Sequence, residues 1–90
     1  MKIHYSKLFL KHYKKRILPH PSLRKRFQVR LKLFEKDTKN LVLGDHALKG
    51  EKQSFRSFSI TGDIRVIYHK EDSNSVIFID VGTHPQVYGM

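Results

Sequence analysis

The sequence predicts an α+β fold, with two N-terminal helices packed on one face of an antiparallel sheet in the order β-α-α-β-β-β. Three observations lead there. Apolar residues in the first 40 positions recur every three to four residues, the period of a half-buried helix. From Phe55 onward they alternate or run together in short β-branched and aromatic stretches, as strands do. Between the two regimes lies a stretch with Gly44, Gly50 and many polar residues.

Residues 2–5 are expected to form a short opening strand or extended arm. Ser6 can cap a helix starting at Lys7. Within 7–18 the apolar Phe9, Tyr13 and Ile17 recur every four residues, while Lys7, Lys11, Lys14 and Lys15 fall largely elsewhere on the wheel. Pro19-His20-Pro21 stops that helix, because proline lacks the amide donor and restricts the residue before it. Ser22 is expected to cap a second helix reaching about Asn40, with Leu23, Phe27, Leu31 and Phe34 on its inner face. Residues 41–54 read as irregular. Phe55–Ile60 then alternates, with Arg56, Phe58 and Ile60 to one side and Ser57 and Ser59 to the other. Thr61-Gly62-Asp63 reads as a hairpin turn, Ile64–His69 as a strand, and residues 71–75 as a longer polar turn. Residues 76–81 read as a central strand with Gly82 after it.

A chain of 90 residues is enough for one domain, taken here as 1–90, and such a domain buries only about 60–65% of its unfolded surface. Six Phe and four Tyr supply a core, too much apolar content for a disordered chain. There is no cysteine, so disulfides and thiolate metal sites are excluded. Neither a membrane-length apolar run nor a signal-like N-terminus is visible, and the expected location is the cytoplasm, with no membrane partner. His4, His12, His20 and His69 are scattered without metal-ligand spacing. No metal, cofactor or small-molecule partner is therefore expected.

The charge carries the first functional information. Lys and Arg number 18 against 8 Asp and Glu, a net of +10. Residues 1–40 hold 13 basic and 2 acidic side chains, and residues 41–90 hold 5 and 6. The whole excess therefore sits in the helical half. A solvated helix surface is the ordinary fate of such charge, but localised density this high on a small domain points to a polyanion held through its phosphates.

The second half carries the specific signal. It contains GDHALKG at 44–50, FRSFSITGDIRVIYH at 55–69 and VIFIDVGTHPQVYG at 76–89. These segments resemble the RelE/ParE toxin superfamily, and within it the YafQ branch. Asp45-His46, Leu48, Gly50, Phe55-Arg56, Asp63, Ile67-Tyr68, Gly82-Thr83-His84 and Tyr88-Gly89 agree with that branch in order and spacing. The agreement covers about half the chain, while the basic helices agree in layout only. The resemblance implies a RelE-like fold, a small twisted antiparallel sheet with two N-terminal helices. It also implies a type II toxin that cleaves messenger RNA on the ribosome, a cognate antitoxin, substrate on the open face of the sheet, and basic helices against ribosomal RNA.

A metal-free RNA nuclease can use the substrate's own 2′-hydroxyl to attack the adjacent phosphate. It needs a base for that hydroxyl, an acid for the departing 5′-oxygen and a cation for the charged phosphorane. Histidine suits either proton role, and the planar fork of arginine suits the phosphate. The resemblance places His84 at the active-site histidine, making it the first candidate for general acid. His46, Asp63 and Arg65 are the further catalytic candidates, Arg65 as phosphate stabiliser. Tyr88, Arg56 and Lys49 are assigned to substrate, Tyr88 by stacking or by hydrogen bonding, and Arg56 is also read as a structural ion-pair partner.

The chain departs from the branch at three positions, with Ser59 in place of a histidine, Ile64 in place of a tryptophan and Asp80 in place of an arginine. Strand alternation puts Ser57, Ser59, Arg65 and Asp80 on one polar face, where Asp80 is expected to pair with Arg65. Two rival functions share the fold: a ParE-like gyrase poison, which needs no catalytic histidine, and a catalytically idle RNA-binding module. The joint presence of Asp45-His46, Asp63, Arg65 and His84 favours the nuclease over the gyrase poison.

Overall fold

A computed structural model describes residues 1–48 and 54–88. The chain runs through β1 (Lys2–Tyr5), α1 (Lys7–Arg16), α2 (Pro21–Lys36), a 3-10 turn (Leu41–Leu43), β2 (His46–Ala47), β3 (Phe55–Ser59), β4 (Ile64–Asp72), β5 (Ser75–Thr83) and α3 (His84–Tyr88). The five strands form one sheet in the order β1-β5-β4-β3-β2. The α+β class and the order of its main elements are those the sequence predicts. The sheet is mixed rather than wholly antiparallel, because β1 runs parallel to β5 at its edge.

Local chemistry explains the boundaries. Ser6 caps α1 as expected, its side chain accepting from the Phe9 amide at 2.9 Å. The second helix starts two residues earlier than Ser22 would place it. His20 is its N-cap and Pro21 its first residue, a position where the missing amide costs nothing. It ends at Lys36 rather than near Asn40. Asp37 accepts from the Lys39 amide and Asn40 from the Val42 amide, both at 3.0 Å. Such local side-chain bonds compete with helix continuation. The stretch expected to be irregular holds the 3-10 turn, closed by Gly44 at φ 59°, and the short β2. The β4–β5 connection is tighter than expected, since both strands extend until only Ser73 and Asn74 lie between them. β5 runs on through Gly82 to Thr83, and α3 begins at His84.

Both helices pack on the same face of the sheet. Phe9 of α1 and Phe34 of α2 both meet Phe78 of β5, with ring centroids 5.5 and 5.7 Å apart. Phe34 stacks on Phe58 of β3 at 4.5 Å, and Tyr13 and Phe27 join the two helices edge to face at 5.1 Å. These rings, with Ile17, Leu43, Ile60, Val66, Tyr68 and Val81, make the main core. Burying each side chain of this size contributes about 1.5–3 kcal/mol, which makes this face the principal source of stability. A smaller cluster of Leu48, Ile67 and Val87 seals part of the opposite face. No helix among the described residues is long and apolar enough to cross a membrane.

One irregularity redirects a polar residue. Ile67 pairs with Asp80 but Tyr68 pairs with Phe78, so β5 carries one extra residue there. A bulge of this kind breaks the alternation of side chains. Asp80 consequently does not pair with Arg65 as alternation predicts. Its carboxylate accepts from His12 Nδ1 at 2.5 Å and from the Val81 amide at 2.7 Å, and lies 3.6 Å from Arg16 Nη1. The bulge thereby ties β5 to α1.

Candidate active site

The face of the sheet away from α1 and α2 carries the polar chemistry. β3, β4 and β5 each contribute one residue to a row, Ser59 opposite Arg65 and Arg65 opposite Gly82. β2 brings His46 to one side and α3 brings His84 and Tyr88 to the other. His46, Ala47, Leu48, Arg65, His84 and Tyr88 line an open cavity of about 350 Å³. Four of the seven substrate and catalytic candidates thus meet in one place.

Each of these side chains has a neighbour that sets its orientation. Arg65 Nη1 donates to Ser59 Oγ at 2.6 Å, a neutral partner that leaves its charge uncompensated. Tyr88 OH donates to Ser57 Oγ at 2.7 Å, holding its ring down on the sheet. His84 packs edge to face on Tyr88, with ring centroids 4.2 Å apart, as their placement one turn apart on α3 allows. His46 Nδ1 lies 2.9 Å from the Gly44 carbonyl. A carbonyl only accepts, so Nδ1 carries the proton and the neutral ring keeps its lone pair on Nε2. That lone pair is what a general base requires. An arginine, two histidines and no carboxylate among the lining residues make the cavity a place for an anion.

Two of the remaining candidates, Asp63 and Arg56, lie elsewhere. Asp63 sits in the exposed β3–β4 turn, where its amide donates to Thr61 Oγ1 at 3.1 Å, and it does not line the cavity. Arg56 points to the helix side of β3. Its Nε donates to Asp45 Oδ1 at 2.9 Å, and the other oxygen of Asp45 accepts from the Tyr68 hydroxyl. This is the structural ion pair that the sequence reading held open for Arg56. Burial works against the Arg56 charge, but its bonds to Tyr68 and Asp45 outweigh that and raise its pKa. Burial, followed by the hydrogen bond to Asp45, pushes the Tyr68 phenol well above its ordinary value. Lys49 lies outside the described residues. Among the described residues no three metal-ligating side chains stand together.

The sequence profile described as bacterial toxin of type II toxin-antitoxin system, YafQ, matches residues 1–89. The chain belongs to the YafQ family. It is therefore a toxin of a type II toxin-antitoxin system. No curated protein sequence matches it. Among solved structures, a copper-bound leucine-to-serine mutant toxin from Helicobacter pylori is 29% identical, with a TM-score of 0.75 over 97% of this chain and 98% of that one. A histidine-to-glutamine mutant of YafQ from Escherichia coli superposes with a TM-score of 0.81 at 23% identity, over 98% of each chain. The toxin fold also recurs in the Escherichia coli DinJ-YafQ complex, with a TM-score of 0.79 at 24% identity over 98% of each chain.

Two parts of the site had only a weak signature in the sequence. Ser57 and Ser59 are the hydroxyls that orient Tyr88 and Arg65. Their trace was two serines alternating with Arg56, Phe58 and Ile60 along one strand. Ala47 and Leu48, as apolar wall residues, had no trace beyond the resemblance.

Proposed function

We propose that this YafQ-family toxin is a ribosome-dependent endoribonuclease that cleaves messenger RNA without a metal ion. The convergence of His46, Arg65, His84 and Tyr88 on one cavity carries the reading. His46 Nε2 takes the proton of the substrate 2′-hydroxyl. The 2′-oxygen attacks the adjacent phosphorus, and Arg65 holds the charge that grows on the phosphorane oxygens. His84 gives its proton to the departing 5′-oxygen. The products are a 2′,3′-cyclic phosphate and a free 5′-hydroxyl. Tyr88 offers its ring to a base beside the cleaved bond. The basic outer surface of α1 and α2 faces ribosomal RNA, and a cognate antitoxin silences the toxin by covering Arg65 or His84.

The test is cleavage of a message on translating ribosomes by the purified protein and by His84→Ala. The wild type should cut, and the variant should be slower by about 10²–10⁴-fold, the usual worth of a positioned proton donor. Equal cutting by both would move the acid role away from His84. No cutting by a folded wild type, with DNA breaks instead, would replace this reading with gyrase poisoning.

A further inference from the structure

We infer that Arg16, at the end of α1, is a second phosphate-binding residue of this active site and holds the RNA phosphate next to the one held by Arg65. The inference rests on the nuclease reading above. Its starting point is the edge of β5. β1 covers that edge only from Ser75 to Phe78. Beyond it, side chains of the α1 segment take over the exposed carbonyls. Ser6 Oγ donates to the Ile79 carbonyl at 2.8 Å, and Arg16 Nη1 to the Val81 carbonyl at 2.9 Å.

Gly82 shows where the guanidinium then goes. Gly82 is paired with Arg65, so its missing side chain would point to the same face of the sheet as Arg65. A Cβ there would lie 2.7 Å from Arg16 Nη1 and 2.6 Å from Gln86 Oε1. The tip of Arg16 therefore sits at the edge of β5 in the space that glycine leaves open, beside Gln86 of α3, the helix that carries His84. Arg65 is drawn the other way, toward Ser59 on β3. Arg65 thus stands on β4 with its tip turned toward β3, and Arg16 at the free edge of β5, so the two guanidinium groups would meet different phosphates of one RNA strand rather than a single one.

Charge points the same way. Arg65 has a neutral hydroxyl as its partner, and the Asp80 carboxylate near Arg16 is shared with His12. Arg16 meets Val81 and Asp80 through Nη1, and a guanidinium carries five donors, so the fork has others to offer a phosphate.

The experiment compares wild type, Arg16→Gln, Arg16→Lys and Gly82→Ala on ribosomes programmed with a short message. In the modified messages, an uncharged methylphosphonate replaces the phosphate on either side of the cleaved one. On the unmodified message Arg16→Gln should be slower by about tenfold, the scale of one charge-assisted hydrogen bond, and Arg16→Lys should recover part of that loss. Gly82→Ala keeps Arg16 but displaces its tip together with Gln86, so it is read only through the methylphosphonates, where it should match Arg16→Gln. One of the two methylphosphonates should slow the wild type by a similar factor and leave Arg16→Gln no slower than it already is. A purely structural Arg16 predicts that the two losses multiply at both positions, and that result overturns the inference. A wild type that fails to cut the unmodified message removes the nuclease reading itself.

Discussion

The two faces of one sheet have been put to opposite uses. The face under α1 and α2 is a continuous set of rings, with Phe9, Phe34, Phe58 and Phe78 almost wholly buried. The opposite face is half open, closed by Leu48, Ile67 and Val87 and otherwise left to His46, Arg65, His84 and Tyr88. Successive strand residues alternate between these faces, so β3 supplies both Phe58 to the core and Ser59 to the site. The lesson is that the stability of the first face makes the polarity of the second tolerable. A domain this small has only about 5–15 kcal/mol to spare, and an arginine without an acidic partner can be held in place only if the scaffold beneath it is rigid.

The contrast is broken most severely by removing a ring from the packed face. Phe34→Ala should cost about 3–5 kcal/mol, enough to unfold a large fraction of the protein, as urea titration would read. His84→Ala on the open face should leave that titration unchanged while cleavage collapses. A comparable loss of stability for both would mean that the open face is also structural.

Next in size is the tie between the bulge and α1. Asp80→Ala strands His12 and Arg16 at a partly buried position and should lower stability by about 1–3 kcal/mol. It should also lower cleavage by releasing Arg16. A variant as stable as the wild type would show that the bulge holds without its carboxylate.

A third test uses pH. The Tyr68 phenol is held above its ordinary value by burial and then by Asp45, so the folded state favours the neutral form. Its contribution is complete below about pH 10, the unfolded value, and is lost as pH rises above that. Tyr68→Phe should flatten the alkaline limb of the stability curve, leaving the smaller slope due to Tyr5, whose pKa is also raised by burial. At neutral pH the same change should cost about 1–2 kcal/mol through the lost hydrogen bond. An unchanged alkaline limb would assign it to other groups.

The smallest expected effect sharpens the role of Tyr88. Tyr88→Phe removes only the bond to Ser57 and should cost about 0.5–1.5 kcal/mol while the ring still stacks on a base. Cleavage kept by Tyr88→Phe but lost by Tyr88→Leu would place its function in the ring. Equal loss in both would place it in the hydroxyl.

Much of this molecule was legible in the chain. The helical period set the inner faces of α1 and α2 through Phe9, Tyr13, Phe27 and Phe34. The alternation in 55–60 assigned Phe58 and Ile60 to the core and Ser57 and Ser59 to the other side. The order of short motifs after Gly44 brought out the family and with it His46, Arg65, His84 and Tyr88. These signals are local, because periodicity and motif spacing depend on neighbours along the chain. The parallel pairing of β1 with β5, the position of Asp80 and the placement of Arg16 beside Gly82 were not legible. Each depends on a register between segments more than 60 residues apart, and one extra residue in a strand changes which face a side chain takes. Composition and pattern determined the class of fold, the basic helical half and the residue types of the site. Only the packed structure decided that Asp80 binds α1 rather than Arg65 and that Asp63 and Arg56 stay outside the cavity, because those outcomes rest on long-range pairing that no local pattern encodes.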